Sequence, residues 1–418
     1  MQTTGIIAEY NPFHNGHAYQ AKQARRLTQA DTVIAVMSGH FTQRGEIAIT
    51  DKWHRAEAAV RSGIDLVLEL PAVFAVRSAQ YFAEGGIRLL SRLGIVDALS
   101  FGAENEDLTS LSAAAASMED PRIKEKLKLG LNRGKTYAAA LADALVANGY
   151  AMQDFIISPN NILAVEYLRA LNRYAPSIRP LPVKRIGSGF HDRQLTNSFA
   201  SATAIRQELC RSGILTPTLC AALPTATADI LGFLLKTGAA PAVIDRLGTT
   251  ILAKLRILSN QELLTAPEIS EGLENRLKTA AHNAGSLSEL MELIKTKRYP
   301  YSRLQRLLVH LLLGTQREQI HEFDATGPLY ARVLALNNQG RVALRKISRQ
   351  GAIPVITKTT AALNPRSFHA KGFSPLQSML AIDIAATDLF SLCLPMPAHR
   401  KGGLDFRQSA VFLPSHES

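Results

Sequence analysis

One stretch near the start of the chain decides the fold: Gly5–His17, which reads GIIAEYNPFHNGH. Its opening apolar run, Ile6–Ala8, predicts a buried first β-strand. The run is followed by Asn11-Pro12, a turn signal in which the proline has no N–H to donate to a sheet. Beyond the stretch, apolar residues recur at helical spacing, at Ala18, Ala21, Ala24 and Leu27. The sequence therefore predicts a strand, a tight turn and a helix.

Two histidines, His14 and His17, flank Gly16 where the predicted helix begins. Free backbone N–H groups and the positive end of the helix dipole favour an anion at this position. Glycine has no Cβ, so we expect a phosphate to approach the backbone closely, with both histidines donating hydrogen bonds to it. The H-x-G-H placement resembles the nucleotidyltransferase superfamily, in which the pair binds ATP phosphates. This resemblance makes His14 and His17 the candidate catalytic residues.

The composition is that of an ordinary globular protein. The chain has 418 residues, 46% of them hydrophobic and 20% charged, a length at which two or three domains are expected. No apolar run approaches the roughly 18 residues that span a bilayer, and the first strand begins so early that no signal peptide is expected. The three cysteines lack metal-ligand spacing, so no metal site held by the protein is predicted. We expect a cytoplasmic enzyme with no membrane partner.

The charge balance indicates a polyanionic partner. The formal net charge is +12 and the isoelectric point is near 9.7. A basic protein that neutralises phosphates releases counterions, which favours nucleic acid as a partner. Many enzymes that act on small molecules are also basic, so charge alone leaves both classes open.

Strand-like and helix-like segments alternate from residue 1 to about 105, as a parallel α/β sheet requires. Further strands are predicted at Thr32–Met37, Asp65–Leu70, Ala98–Phe101 and Leu181–Ile186. Distinctive loops follow three of the predicted strands, at residues 11–17, 38–45 and 102–105. Ligands of open α/β sheets bind beyond the carboxyl ends of the strands, so these loops are expected to converge on one site.

The predicted fold class is α/β: a Rossmann-like parallel sheet, then a helical region, then a small C-terminal α/β lobe. We assign residues 1–206 to a nucleotidyltransferase-like catalytic domain. Residues 207–320 are predicted to be helical, basic and nucleic-acid-binding, and residues 321–418 to form the small lobe. No internal repeat or low-complexity tract is present.

The most basic part of the chain is Lys295–Arg306, which reads KTKRYPYSRLQR and is called the basic segment below. It contains five cations and two tyrosines with no acid among them. Cations neutralise phosphates and aromatic rings stack on bases, a combination that suits a single-stranded RNA loop. A solvated helix face is the alternative. The predicted RNA contacts are Lys295, Lys297, Arg298, Arg303 and Arg306.

Several segments, taken in order, resemble one family. They are Glu9–His17, Val36–Phe41, Gln43–Glu46, Lys52-Trp53, Asp65–Pro71, Phe101–Asn105, Pro159–Leu163, Ser201–Arg206, Glu271–Arg276 and the basic segment. Together they are similar to the bacterial tRNA(Met) cytidine acetate ligase family, strongly over about 310 residues and weakly over the last hundred. The resemblance implies activation of acetate by ATP as acetyl-adenylate, then acetylation of the wobble cytidine of elongator methionine tRNA. Ala103 and Ala204 stand where relatives carry serine.

The resemblance also implies the ATP contacts and the cofactor Mg²⁺, which is expected to bridge the phosphate oxygens. A Ser/Thr-rich helix start like that at Ser201 holds the β- and γ-phosphates in the superfamily. The implied ATP-binding residues are Ile7, Ala8, Glu9, Tyr10, Asn11, Pro12, Phe13, His14, Asn15, Gly16, His17, Ala18, Tyr19, Gln20, Gly102, Asn160, Arg185, Ser201, Thr203 and Arg206.

Two steps are expected, attack of acetate on the α-phosphate and attack of the cytosine amine on the mixed anhydride. The amine is a poor nucleophile, and Glu9 and Glu104 are the candidate acceptors for its proton. Two other functions stay open. A cofactor-forming adenylyltransferase fits the histidine motif equally well but does not need a basic helical half. An RNA-binding protein with a vestigial nucleotide fold would not need both histidines and the glycine intact.

Overall fold

The computed structural model describes residues 1–133, 135, 137–147, 159–185, 199–269, 272–297, 299–369 and 372–414. Its strands are β1 (Thr3–Ala8), β2 (Thr32–Ser38), β3 (Leu66–Leu70), β4 (Ala98–Ala103), β5 (Arg179–Lys184), β6 (Ala331–Asn337), β7 (Val355–Ile356) and β8 (Val411–Leu413).

Helices connect and cover these strands. Up to β5 they are α1 (Asn15–Thr28), α2 (Lys52–Arg61), α3 (Ala72–Ala75), α4 (Ala79–Arg92), α5 (Leu108–Ser117), α6 (Pro121–Asn132), α7 (Tyr137–Val146) and α8 (Pro159–Tyr174). The helical half contains α9 (Ala202–Ser212), α10 (Pro217–Ala221), α11 (Thr225–Thr237), α12 (Gly248–Ile257), α13 (Asn260–Thr265), α14 (Leu273–Asn283), α15 (Leu287–Ile294), α16 (Tyr301–Leu313) and α17 (Arg317–Thr326). The C-terminal region adds α18 (Asn338–Gln350), α19 (Pro365–Phe368), α20 (Pro375–Leu392) and α21 (Leu404–Arg407).

The strands form one sheet in the order β5-β4-β1-β2-β3-β6-β7, with β8 paired to β6. The five strands from β5 to β3 are mutually parallel, and β6 runs antiparallel to β3. The chain moves outward from β1 in one direction through β2 and β3 and in the other through β4 and β5. The strand order therefore reverses between β1 and β4, the position at which open α/β sheets bind ligands.

Alternate residues of the central strands enter two different cores, as the two-residue period of a strand requires. On one face, Ile6 and Met37 pack with α1 and α2, which contribute small and aromatic side chains such as Ala24 and Trp53. On the other face, Ile7 and its neighbours pack against α4 and α8. Burial on both faces explains why these strands appear in the sequence as continuous apolar runs rather than as alternating ones.

The predicted α/β class with a parallel sheet is confirmed, and most element boundaries lie within two residues of prediction. Helix α2 begins at Lys52, because Asp51 caps it and accepts the N–H groups of Trp53 and His54 at 3.0 Å. The strand predicted at Leu181–Ile186 spans Arg179–Lys184 instead. Its exposed and half-buried residues gave a weak apolar signal from which to fix the register.

The C-terminal region does not form a sheet of its own, since β6 continues the main sheet beside β3. The contact is charged: Arg332 Nη1 lies 3.2 Å from Glu69 Oε2, and Lys52 Nζ lies 2.8 Å from Glu69 Oε1. Asp405 of α21 pairs with both Arg332 and Lys52. This buried network joins β3, α2 and the C-terminal region. The division of the chain at residues 206 and 320 stays a prediction, and the sheet crosses the second of these boundaries.

Across the described ranges, none of the helices combines the length and the apolar character that crossing a bilayer requires.

Candidate active site

A cleft of about 470 Å³ opens beyond the carboxyl ends of β4 and β5, beside the N-termini of α1 and α9. Eight of the predicted ATP-binding residues line it: His14, Gly16, His17, Tyr19, Gln20, Gly102, Arg185 and Ser201. The prediction that the loops following the strands converge on one site holds for two of the three loops, because β1 leads into α1 and β4 ends at Gly102 and Ala103. No residue of the 38–45 loop lines the cleft.

The two histidines form a reciprocal cap at the start of α1. His14 Nδ1 accepts the N–H of Gly16 at 3.0 Å, and His17 Nδ1 accepts the N–H of His14 at 3.2 Å. The rings stack with their centroids 3.8 Å apart. Because each Nδ1 is an acceptor, the proton of each neutral ring lies on Nε2. The cap therefore leaves the Nε2–H of each ring out of the capping contacts, on residues that line the cleft.

Both imidazoles are held in the neutral form. Burial lowers the pKa of His14 to about 3, assisted by the positive charges of Arg185 and Arg206. Burial also lowers the pKa of His17 well below its ordinary value, with contributions from His14 and Arg185. At neutral pH the pair donates hydrogen bonds without carrying charge of its own. The formal positive charge at this cleft comes from Lys184 and Arg185.

The expectation that free backbone N–H groups at the start of α1 form an anion site is wrong, because these groups already have hydrogen-bond partners. Asn15 N–H donates to the carbonyl of Ala222 at 3.2 Å, and Gly16 N–H donates to His14. The N–H groups of His17 and Ala18 donate to the His14 carbonyl at 2.9 and 3.1 Å. Gly16 leaves room for the His14 ring rather than for a phosphate, since a Cβ there would lie 2.8 Å from His14 Cε1. The donors at this end are the imidazole side chains.

The second helix N-terminus at the cleft belongs to α9. Ser201 Oγ caps the helix by accepting the N–H of Ala204 at 3.1 Å, and Ser201 itself lines the cleft. Arg206 is directed elsewhere: it donates to the carbonyl of Asn11 at 2.9 Å and to Glu46 Oε2 at 2.6 Å. Thr203 Oγ1 accepts a longer bond from Arg206 at 3.4 Å. Thr203 and Arg206 therefore hold the loop that carries the histidines and are absent from the cleft lining.

Two cations stand at the mouth of the cleft, where β5 ends. Lys184 and Arg185 are both exposed, and a Cβ on Gly102 would lie 3.4 Å from Arg185 Cγ. The missing Cβ thus lets the Arg185 side chain lie across the end of β4. Asn160 is not in the lining: its Nδ2 donates to Glu104 Oε1 at 2.5 Å. Its role in the structure is to hold Glu104 near Arg185.

Most of the residues between Ile7 and Phe13 do not line the cleft but pack behind the histidine pair. Tyr10 and Phe13 are buried, and their ring centroids lie 4.9 and 5.6 Å from that of His17. Asn11 Oδ1 accepts the N–H of Ile49 at 2.8 Å. The predicted ATP-binding residues outside the cleft lining are Ile7, Ala8, Glu9, Tyr10, Asn11, Pro12, Phe13, Asn15, Ala18, Asn160, Thr203 and Arg206.

Sequence reasoning missed four lining residues: Val183, Lys184, Phe199 and Ala200. Lys184 could have been included, because it stands beside Arg185 at the end of a predicted strand. Phe199 had no such signal, since it lies outside every predicted element. Its ring meets that of Tyr19 edge-on, with centroids 6.4 Å apart, so the cleft has an aromatic wall as well as polar donors.

Glu9, a candidate proton acceptor, follows β1 and is half-buried. Its Oε1 accepts the N–H of Gln43 at 2.8 Å. Burial raises the pKa of Glu9 above its ordinary value; the Gln43 hydrogen bond opposes this shift, and the charge of Glu46 adds to it. The carboxyl group is thus easier to protonate than an exposed glutamate, a property that suits a group accepting a proton.

The basic segment divides into an exposed part and a paired part. Lys295 and Lys297 are exposed, and Arg298 lies outside the described residues. Arg306 is only 8% exposed, and its Nε lies 3.2 Å from Glu268 Oε1. Arg303 also reaches Glu268, at 3.8 Å. The basic segment thus contains no acidic residue in its own sequence. In the folded protein, however, Glu268 pairs with two of its arginines.

The two tyrosines of the basic segment differ in the same way. Tyr299 is 6% exposed and carries the Arg303 guanidinium over its ring at 5.1 Å. Tyr301 is 48% exposed at the first position of α16. Only Tyr301 presents a ring of the kind that the predicted base-stacking surface needs.

No group of three or more His, Cys, Asp or Glu side chains that could hold a metal occurs within the part of the chain that the structure describes.

Comparison with known proteins places the chain in a family. The model of the HIGH Nucleotidyl Transferase family matches residues 1–404. The tRNA(Met) cytidine acetate ligase of Acetivibrio thermocellus is 38% identical over 424 residues, covering 99% of this chain and 100% of the relative. That of Halothermothrix orenii is 37% identical over 420 residues, covering 97% and 98%.

Solved structures agree with the sequence comparison. The crystal structure of apo Thermotoga maritima TmcAL superimposes with a TM-score of 0.91 at 31% identity, covering 99% of this chain and 100% of that one. The same protein bound with alpha-thio ATP superimposes with a TM-score of 0.89 at 31% identity and the same coverage. The chain therefore belongs to the HIGH nucleotidyltransferases and, within them, to the tRNA(Met) cytidine acetate ligase family.

Proposed function

We propose that the protein activates acetate with ATP and transfers the acetyl group to the wobble cytidine of elongator tRNA(Met), giving 4-acetylcytidine. The observation that carries the proposal is the cleft at the end of the parallel sheet, where two neutral histidines present Nε2–H donors beside Lys184 and Arg185. The names of the full-length relatives and the ATP analogue bound by Thermotoga maritima TmcAL support it. A tRNA substrate is consistent with a cytoplasmic location.

In the first step, an acetate oxygen attacks the α-phosphorus of ATP, the bond to the β-phosphate oxygen breaks, and pyrophosphate leaves. Negative charge develops on the phosphate oxygens, so fixed donors accelerate the step. We assign this role to His14 and His17, whose cap prevents the rings from turning. Lys184, Arg185 and the N-terminus of α9 at Ser201 supply the positive potential that draws triphosphate and acetate together.

ATP is proposed to enter with Mg²⁺. The ion would neutralise part of the triphosphate charge. Glu104 is the carboxylate nearest in sequence to the cleft residue Gly102, and Asn160 keeps its Oε1 in place at 2.5 Å.

In the second step, the exocyclic amine of cytosine attacks the acetyl carbonyl, the bond to AMP breaks, and the nitrogen loses one proton. We propose Glu9 as the acceptor of that proton. Its raised pKa fits the role, and it lies on the same loop as the histidine pair. We propose Lys295 and Lys297 as contacts to the RNA backbone, since both ammonium groups are exposed. In this division of labour, residues 1–206 form the adenylate and residues 207–320 hold the tRNA.

The test is exchange of labelled pyrophosphate into ATP, measured with and without acetate and then with elongator methionine tRNA. Exchange that saturates with acetate, followed by acetylation of the wobble cytidine when tRNA is added, is the expected result. Exchange that requires a phosphorylated metabolite instead would identify a cofactor-forming adenylyltransferase. No exchange with any carboxylate, together with normal tRNA binding, would leave an RNA-binding protein.

A further inference from the structure

A second pocket, separate from the cleft, lies in the helical half beside the basic segment. It contains about 560 Å³ of empty space, part of which is open to solvent. The floor is apolar and is formed by buried side chains of α12, α15 and α16 such as Ile251, Met291 and Leu308. An apolar floor of this kind accepts the face of a planar ring and offers nothing to a hydrated ion.

The rim of this pocket is polar and partly aromatic. It contains the ring of Tyr301, the amide of Gln305 and the carboxylate of Asp245. Asp245 is exposed and Tyr301 is 48% exposed, so both are accessible to a ligand from solvent. Burial, together with the charges of Asp245 and Glu46, raises the pKa of Tyr301.

One wall of the pocket comes from the catalytic half. Gly45 lies on α16 so closely that a Cβ would fall 2.5 Å from the backbone nitrogen of Arg306, and its φ of +75° favours glycine in any case. The next residue, Glu46, pairs with Arg206, which donates to the carbonyl of Asn11 in the histidine loop. The pocket and the cleft are thus joined by a short chain of direct contacts, Gly45–Glu46–Arg206–Asn11.

We propose that this pocket binds one unpaired base of the RNA substrate, a base that carries an exocyclic amine. Its ring would lie between the apolar floor and Tyr301, and the amine would donate to Asp245. A carboxylate accepting from a cytosine amine is an established mode of base recognition, and aromatic stacking is the usual way to hold a splayed base. The proposal rests on the proposed function, because it takes RNA as the substrate.

The charges around the pocket favour a base over other occupants. Asp245 repels a phosphate or a carboxylate at the rim, whereas an amine is attracted to it. Lys295 and Lys297 lie just before α16, the helix that carries Tyr301 and Gln305, so the RNA backbone can be held beside the pocket while the base enters it. The pocket thus supplies base recognition and the lysines supply attraction to the backbone.

The experiment compares tRNA binding with acetate-dependent pyrophosphate exchange measured without RNA. Tyr301→Ala is expected to weaken binding of elongator methionine tRNA about tenfold, the loss of one stacked base, whereas Tyr301→Phe keeps the ring and binds as the unmodified protein does. Asp245→Asn is expected to weaken binding about fivefold or more. Asp229→Asn removes the same charge from an exposed position on α11 and is the matched control, with no effect on binding. All four variants are expected to keep the exchange reaction.

Double-mutant cycles identify the base. A stem-loop RNA is made with each loop base in turn replaced by an abasic site, and each RNA is tested against the unmodified protein and Tyr301→Ala. At one position the two losses are expected to be non-additive, and removing only the amine of that base is expected to couple to Asp245→Asn. Binding by Tyr301→Ala equal to that of the unmodified protein, or the absence of any coupled position, would overturn the pocket assignment. Absence of exchange in the unmodified protein would count against the proposed function instead.

Discussion

The cleft and the basic segment both present nitrogen donors to a polyanion, but they do so in opposite physical states. In the cleft, His14 is 5% exposed, its ring is fixed by a cap, and its pKa of about 3 keeps it neutral. In the basic segment, Lys295 and Lys297 are exposed ammonium groups on flexible side chains. Fixed neutral donors give direction at short range, whereas exposed charges give attraction at long range that salt screens.

One cation of the basic segment fits neither description. Arg306 belongs to the basic segment by sequence, yet it is buried and paired with Glu268. Burial alone would raise the pKa of Glu268, but the charges of Arg306 and its neighbours outweigh this effect and lower the pKa. The ion pair therefore belongs to the packing of α16 rather than to the RNA surface. Catalysis, stability and attraction of RNA should accordingly be separable by mutation.

The largest effect is expected from removing the Nε2–H donors. His14→Ala and His17→Ala should lower acetate-dependent pyrophosphate exchange by about 10²–10³-fold, the usual effect of removing a fixed donor to developing charge, and should leave the tRNA dissociation constant unchanged. Exchange kinetics and filter binding measure the two quantities.

Asparagine variants separate the donor from the cap. His14→Asn keeps a good N-cap acceptor but lacks Nε2–H, so it should retain the stability of α1 and lose exchange. Normal exchange in His14→Asn would mean that the ring serves only to cap the helix.

The next effect concerns Arg306. Arg306→Ala leaves Glu268 in its largely enclosed position without its nearest cation, so the free energy of unfolding should fall by about 2 kcal/mol. The salt dependence of tRNA binding should not change, since the guanidinium is largely buried and paired with Glu268. Urea unfolding and binding titrations at several salt concentrations measure both, with Arg306→Met as a variant that keeps most of the apolar packing. A flatter salt dependence in Arg306→Ala would show instead that Arg306 contributes to RNA binding.

The fold was predictable where the signal is local. The β1 strand, the turn at Asn11-Pro12 and the α1 helix follow from consecutive residues, and a helix begins beside Ser201 as the Ser/Thr-rich sequence there indicated. The antiparallel β6 strand was not predictable as part of the main sheet. Its pairing with β3 places Arg332 opposite Glu69, residues far apart in the chain that no local pattern connects.

The candidate site shows the same limit. His14, His17 and Gly16 were identified from their spacing, but the role of the glycine was not, because it depends on where the His14 ring lies. Likewise the carbonyl of Ala222 accepts the N–H of Asn15, and Glu268 pairs with Arg306. Both contacts join segments that are distant in sequence. A sequence shows which groups can bind phosphate, whereas the tertiary contacts decide which of them are already occupied.

A smaller effect is expected from the exposed lysines. Replacing Lys295 and Lys297 together by Ala should weaken tRNA binding severalfold and reduce the slope of log K against log salt by about 1.4, the value for two contacts to a single strand. Acetate-dependent exchange without RNA should not change. The matched control replaces Arg341 and Arg345 on α18, two exposed cations distant in sequence from the basic segment. An equal loss of slope in the control would show that attraction of RNA is spread over the whole basic surface.

The smallest effect is expected from pH. The folded-state pKa of His14 is about 3, below its ordinary 6.5, so the ring stays neutral throughout the range from pH 8 to pH 6. Exchange should therefore be nearly flat over this range, whereas a mechanism that required imidazolium would accelerate as the pH fell through 6.5. The effect of pH on stability has a definite direction. Below pH 6.5 the histidines of the unfolded chain bind protons that those of the folded protein do not bind, so the free energy of unfolding should decrease as the pH falls. Initial rates of exchange and urea unfolding, both measured from pH 8 to pH 5, test the two parts. Exchange that rises on acidification while the protein remains folded would contradict the neutral histidine pair, and with it the contrast between the cleft and the basic segment.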